Sequence, residues 1–290
     1  MDEIFQHIVN AMVLGSTYAL LGIGLTIIFG IMRVVNFAHG ELYTLGAYVA
    51  YGMVALLKLD FFSSILVAAA VGMLVGALIE FVFLRRKDLK NIDEVMLIMI
   101  GIMIVMQNLE LLAWGGVAKI IPTPFSQEPI SFGSISIAPT RLFVFGVAAI
   151  LLFIFYLGIE RTRFGLAIRA TFQDQDAARI VGVNVKRIYT LTFALGSAMA
   201  AVAGALLAPM FVATPMMGDL ASLKAFAIVI LGGLGNLGGA ALGGFLLAFI
   251  EEFGASYISS AYRDAFGFLV IIIVMLFRPQ GLFSVKERVG

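Results

Sequence analysis

Cysteine is absent from this chain, and histidine nearly so, with only His7 and His39. The first absence excludes disulfides, thiolate nucleophiles and Cys-based metal sites. The second leaves too few imidazoles for a zinc cluster. Charge is also scarce: Asp, Glu, Lys and Arg make up 13% of the residues, where a soluble domain carries roughly a quarter. No Gly-x-x-x-x-Gly-Lys-Ser/Thr phosphate loop occurs, so nothing here points to ATP hydrolysis by this chain. An intramembrane serine hydrolase needs a base beside its serine. Ser256, in Gly254-Ala255-Ser256-Tyr257, has no histidine in any span expected to neighbour it. The net charge of +1 carries no nucleic-acid signal, and no linker rich in Ser, Pro or charge divides the chain.

What the chain does have is hydrophobicity, 61% of its residues, with a mean hydropathy of +1.05. Apolar runs long enough to cross about 30 Å of hydrocarbon lie near 8–30, 41–57, 62–84, 95–113, 141–159, 189–213 and 263–277. The acidic start Met1-Asp2-Glu3 is unlike a signal peptide, so the first run is expected to be retained as a span. Arg33, then Arg85, Arg86, Lys87 and Lys90, then Arg161, Arg163, Arg169, Arg179, Lys186 and Arg187, then Arg278, Lys286 and Arg288 fall in alternate connections and the tail. They are 14 of the 19 basic residues. Lys58, Lys119, Arg141, Lys224 and Arg263 are left to the other face. This bias places the N-terminus outside and the C-terminus in the cytosol.

That orientation requires residues 222–258 to make no net crossing. Seven glycines in residues 231–244 make a continuous helix there costly, at about 1 kcal/mol each relative to alanine. The expected form is a half-helix opened by Ser222 and Leu223, a turn at membrane depth near Asn236, and a longer returning helix. Free amides at Ser222 would then suit a carboxylate. The same glycines equally suit close helix packing, as at Gly239 to Gly243. The fold class is therefore an all-α integral membrane protein: one domain over 1–290 with about eight membrane helices and a re-entrant half-helix.

Polar residues punctuate this frame. Asn36, His39 and Glu41 interrupt the apolar run between the first two spans; they either build the cytosolic end of a pathway or form an ordinary turn in which Glu41 caps the second span. Glu80, Glu110, Glu251 and Glu252 lie near span ends, where pairing or reaching headgroups accounts for them. The external loop 114–140 holds Pro122, Pro124, Pro129 and Pro139, and Ile130 to Ile137 alternates around Gly133-Ser134 like a hairpin. Trp114 at its start suits an aromatic belt. The loop either receives a partner or lids the spans.

The longest polar stretch is the cytosolic loop 160–188. Thr171 and Asp174 are both good N-caps, Asp174 and Asp176 place negative charge in a first turn, Arg179 lies near a last turn, and Gly182 is a stop. A helix of about two turns results, with Ala177, Ala178, Ile180 and Val181 as its apolar set. It either docks on a cytosolic motor or lies on the bilayer interface.

With these residues in view the chain resembles a known family. Gly24-Leu25-Thr26-Ile27-Ile28-Phe29-Gly30-Ile31-Met32-Arg33-Val34-Val35-Asn36-Phe37-Ala38-His39-Gly40-Glu41, Arg163-Phe164-Gly165, Asp176-Ala177-Ala178-Arg179, Gly182-Val183-Asn184, the Gly232–Gly244 run and Phe277-Arg278-Pro279-Gln280-Gly281-Leu282 resemble, in order, the smaller permease subunit of branched-chain amino-acid ABC importers. The resemblance implies an importer permease architecture in a bacterial or archaeal inner membrane. It implies a second, homologous permease, expected to be a different chain, two cytosolic ATPases carrying the ATP and Mg, and an extracytoplasmic binding protein delivering Leu, Ile, Val or a related solute. No cofactor is expected on this chain, nor a metal. Under it Asp174, Asp176, Ala177, Ala178, Arg179, Ile180 and Gly182 form the ATPase-coupling element, while Asn36, His39, Glu41, Ser222 and Asn236 are pathway or gate candidates. The same pattern also serves importers of urea and short-chain amides. A stand-alone channel or ion-coupled carrier is the rival class, and the span centres hold few of the acids or histidines a carrier needs.

Overall fold

The computed structural model describes residues 2–89, 91–123, 125, 128–132 and 135–283. Eleven α-helices are found among them: α1 (Asp2–Met32), α2 (His39–Tyr51), α3 (Phe61–Ile79), α4 (Ile92–Trp114), α5 (Pro139–Arg161), α6 (Arg163–Gln173), α7 (Gln175–Ile180), α8 (Val185–Leu207), α9 (Met217–Gly232), α10 (Leu237–Tyr257) and α11 (Arg263–Phe277). Wider π-type turns, Gly52–Leu56 and Glu80–Leu84, prolong α2 and α3. Seven of the described helices are long and apolar enough to cross a membrane. Local capping explains many of the boundaries. Asp60 accepts from the Ser63 amide at the start of α3, Thr162 caps α6, Asn184 caps α8 and Asn236 caps α10.

The bundle centres on α1 and α8, which are largely buried, whereas α4, α5 and α11 expose apolar surface suited to lipid or partners. Close backbone approach joins α2 to α8. A Cβ on Gly46 would lie 1.9 Å from the Ala201 carbonyl oxygen, and one on Gly204 would lie 1.9 Å from that of Tyr43. Such contact is the small-residue packing that membrane helices use in place of a hydrophobic drive.

The two ends of the bundle are identified by their contacts. At one end the Gln175 amide donates to the Ile31 carbonyl at 2.9 Å, the Phe172 ring lies against Gly30 and Gly235, and Leu282 N–H donates to Leu231 O. At the other, Lys119 and Ala213 exchange backbone bonds, and Gln6 accepts from Ser136 N–H at the short hairpin Ile130–Phe132 and Ile135–Ile137. The hairpin follows the expected alternation. Its Gly133-Ser134 turn, Pro124, Lys90, Lys286 and Arg288 lie outside the described residues.

Chain breaks fall in two places. The glycine run breaks at Gly233 and Gly235, whose φ of +88° and +80° lie in the left-handed region that glycine tolerates. Here the structure departs from the expected geometry. The turn sits beside Phe172 at the α6 end of the bundle, not at mid-depth, and α9 opens at Met217, not at Ser222. The glycines serve packing too, since Gly239 and Gly243 abut the Gly232 and Ile228 carbonyls across the α9–α10 hairpin.

The second break, between α1 and α2, is the deeper one. His39, the first residue of α2, places Nε2 3.0 Å from the carbonyl oxygen of Leu21, eleven residues before the end of α1. That stretch of α1 is about 16 Å long. Residues 33–38, non-helical and long enough to span about 20 Å when extended, climb that distance back into the bundle. Helix α2 therefore starts at the middle of α1 and runs to the hairpin end.

Candidate functional site

The buried start of α2 has little local support. Its N-cap residue, Ala38, offers no side-chain bond; Ser222 of α9 supplies one instead, accepting from Gly40 N–H at 3.0 Å and donating to Phe37 O at 3.2 Å. Ser222 thus pins the break between α1 and α2. It lies inside α9, so its amide is not a free helix-start donor, and the carboxylate role expected of it has no basis there. Asn36, His39 and Glu41 are all fully buried, yet they sit at mid-bundle and not at its end. Both polar atoms of the Asn36 side chain, and Nδ1 of His39, have no hydrogen-bond partner among the described residues. Each such atom costs about 1–3 kcal/mol when left unmade. Glu41 does not cap α2; among the described residues neither its carboxyl oxygens nor those of Glu110 on α4 have a hydrogen-bond partner.

A second polar cluster was not foreseen. Lys224, assigned from the sequence to an external connection, lies in α9 with 13% of its side chain exposed. Its ammonium meets Tyr18 Oη at 2.6 Å, Glu251 Oε2 at 2.8 Å and Asp264 Oδ1 at 2.8 Å. Glu252 takes Arg263, Asn10 Nδ2 at 3.0 Å and His7 Nδ1 at 3.3 Å. Glu80 accepts from Thr190 at 2.5 Å. Glu80, Glu110, Glu251 and Glu252 are all buried, so reaching headgroups does not account for them; pairing accounts for Glu80, Glu251 and Glu252, while Glu110 has no hydrogen-bond partner among the described residues. The signal available in the sequence was the presence of both charge signs at the edges of apolar runs, which within a membrane must find each other.

Ser256 does have a histidine beside it: its Oγ lies 3.0 Å from His7 Nδ1. Sequence reading missed this pair because 249 residues separate its members. Glu252 contacts the same nitrogen, so the three groups do not form the serine–base–acid relay, which uses both imidazole nitrogens. Trp114, partly exposed at the end of α4, stacks on Tyr48 with ring centroids 5.0 Å apart.

A cavity of about 460 Å³ lies over the Lys224 cluster, beneath the 208–216 connection. Tyr18, Tyr43, Lys224, Arg263 and Asp264 line it together with Leu14, Leu21, Leu207, Met217 and Leu220. A second cavity, about 290 Å³, between α1, α3, α5 and α8 is lined only by apolar residues.

The polar loop at the opposite end is built in two pieces. Amphipathic α6 was not anticipated; it buries Ile168 and Thr171, and Thr171 donates to Ala167 O inside the helix instead of capping one. Asp174 caps α7 as expected, accepting from Asp176 N–H at 2.8 Å and Ala177 N–H at 3.0 Å. Asp176 pairs with Arg179 at 3.0 Å, and Gly182 ends the element at φ +89°. Gln175 anchors the helix, accepting from Tyr189 at 2.6 Å while donating to α1. The expected apolar set divides. Ala178 packs inward at 3% exposure, whereas Ile180 and Val181 project at 86% and 77%. Asn236 caps α10 and donates to Phe283 O at 2.5 Å, on this same end.

Comparison with known proteins agrees over nearly the full length. A family model described as a branched-chain amino acid transport system permease component matches residues 7–275. The chain is 37% identical to the high-affinity branched-chain amino acid transport system permease protein BraD of Pseudomonas aeruginosa, covering 99% of each. It is 35% identical to LivH of Escherichia coli, over 97% of this chain and 96% of that one. LivM of Escherichia coli, a permease protein of the same kind of system, is 25% identical over 93% of this chain and 68% of its own. No solved structure matches. A multi-pass helical bundle, an anchored polar loop with a capped helix, and agreement from end to end with these permeases place the chain in the family of branched-chain amino acid transport permease components.

Proposed function

We propose that this chain moves branched-chain amino acids across the membrane as one of two homologous permeases, driven by cytosolic ATPases that dock on α7. The observation that carries the reading is the exposure of Ile180 and Val181 on a loop otherwise tied down by Gln175, Tyr189 and Phe172. Two bare apolar side chains on a rigid mount suit insertion into a partner's groove. Because α6 packs on the end of α1 and on the α9–α10 turn, a push on α7 reaches the transmembrane helices directly.

In this reading the α7 end is cytosolic, the N-terminus is outside, and a binding protein delivers solute at the hairpin end. Hydrolysis belongs to the ATPases, with ATP and Mg held there. The second permease is a LivM-like chain, and the membrane is a bacterial or archaeal inner membrane. Asn36 and His39, buried with partnerless polar atoms at the α1–α2 break, are gate candidates, because a second arrangement of that segment would satisfy them. The test is purification from the native membrane with mass spectrometry of the associated chains, followed by binding-protein-dependent leucine uptake with urea and short amides as competitors. Two phosphate-loop ATPases and leucine uptake support the reading. A chain that purifies alone and transports alone overturns it.

A further inference from the structure

The cavity over Lys224 combines features that neither packing nor the coupling reading uses. Its walls carry Leu14, Leu21, Met217 and Leu220, and its floor carries Lys224 held by two carboxylates that differ in access. Glu251 is sealed, at 1% exposure, while Asp264 is open at 43%, and both meet the Lys224 ammonium at 2.8 Å. The three donors of Lys224 are all engaged, the third by Tyr18. Two further groups stand without partners among the described residues. Nε of Arg263 is buried and unbonded, and Tyr43, 7% exposed, is a wall residue of the same cavity with no hydrogen bond from its hydroxyl.

An ammonium held by one sealed and one accessible carboxylate can be opened on its accessible side by a molecule that carries both charges. An anion alone would displace Asp264 from Lys224 with nothing in exchange, and a cation alone would take Asp264 and leave Lys224 with Glu251 and Tyr18; each loses the Lys224–Asp264 pair to gain one of its own. A zwitterion replaces one ion pair by two, with no change in net charge. The volume falls within the range of about 300–1,000 Å³ found for small-molecule sites, and apolar walls with a few convergent polar groups are their usual lining. The apolar cavity between α3, α5 and α8 offers a zwitterion neither charge.

We propose that the cavity is a zwitterion site: an aliphatic α-amino acid inserts between Lys224 and Asp264, its carboxylate on the lysine, its ammonium on the aspartate, and its side chain against the apolar wall. The Tyr43 hydroxyl adds a donor to the carboxylate. This rests on the reading of the chain as a branched-chain amino acid permease and names where, within it, cargo is held.

The absence of cysteine supplies the test. Thr214→Cys places one thiol in the cavity wall with little change of shape, and Val117→Cys, 72% exposed outside the cavity, is the control. The assembled complex in nanodiscs is labelled with a maleimide, read on this chain, with leucine, 4-methylpentanoate or 3-methylbutylamine present. At leucine about ten times its half-protecting concentration, labelling of Thr214→Cys slows about tenfold by mass action. Val117→Cys is unaffected, and the two singly charged analogues do not protect. Adding Asp264→Asn removes protection without changing the unprotected rate, and Asp264→Glu restores it. A complex that takes up leucine but shows no protection, or protection that survives Asp264→Asn, overturns the site. Protection without uptake overturns the transport reading and keeps the site; absence of both overturns both.

Discussion

Replacing Ile180 and Val181 together by serine tests the coupling surface most directly. Their exposures, 86% and 77%, mean that the folded chain gains little from either side chain, so the double variant is expected to fold and insert normally. Fully burying an Ile or Val side chain stabilises by about 1.5–3 kcal/mol, and these two have most of that area still to lose. Docking in an apolar groove would then draw about 3 kcal/mol from the pair, which corresponds to roughly a hundredfold in affinity. The assay is titration of the purified permease pair with its ATPases, in parallel with leucine uptake by cells. Weakened ATPase association and loss of uptake, with unchanged amounts of permease in the membrane, are the expected results. Ala178→Ser makes the contrast, since Ala178 faces inward at 3% exposure and its change acts on stability before it acts on docking. If the Ile180/Val181 variant binds ATPases within a factor of about two of wild type, the two side chains contribute nothing to docking and the argument from exposure is wrong.

Three further outcomes follow from the packing. Lys224→Met strips the cation from Glu251, leaving it only the Tyr18 hydroxyl, and lowers the thermal stability of the detergent-solubilised chain by an amount equivalent to about 3–5 kcal/mol, whereas Lys224→Met with Glu251→Leu recovers most of it; equal losses in both would show that charge compensation is not what holds this cluster. Gly204→Ala forces a Cβ onto the Tyr43 carbonyl and costs at least about 1–3 kcal/mol, seen as reduced membrane accumulation; normal accumulation and an unshifted melting temperature would mean that α2 and α8 can part freely. The hydroxyl and amide of Ser63 hold the Asp60 carboxyl below its ordinary range. The cap is therefore intact above the unfolded value of about 3.9 and is lost as pH falls through the lower folded value. Protection of the first-turn amides of α3 against hydrogen exchange, taken relative to the intrinsic rate at each pH, should fall on acidification in wild type but not in Asp60→Asn, and pH-independent protection in wild type would refute it.

The parts of this molecule that were legible in the sequence are those whose cause is local. Asp174 and Gly182 bracket α7 within nine residues, the glycine run marks the α9–α10 turn, and the hairpin shows in its alternation. What escaped depends on distant chain. The depth of the α2 start is set by Leu21 and Ser222, and no property of Asn36 to Glu41 announces that these residues rise into the bundle. Lys224 reads as a loop cation because its acidic partners come 27 and more residues later, on α10 and α11. Thr171 and Asp174 carry equal local cap preference, and the difference between them arises from α6, which places Thr171 inside a helix that packs on the bundle. Ser222 holds a helix start instead of opening one, a role set by its position beside Gly40, 182 residues away.

That bond from Gly40 to Ser222 also has a meaning for how the protein is made. Its partners are 182 residues apart, so at about 5–20 residues per second a ribosome takes roughly 10–40 s to deliver the serine after the glycine. Through that interval the nascent α2 is a short apolar segment with an uncapped, polar entrance and an extended leader, too brief at its own depth to settle as an ordinary span. If this chain inserts helix by helix, the second segment spends that interval without the bond that caps its entrance, and its placement in the folded bundle is completed only once α9 has arrived.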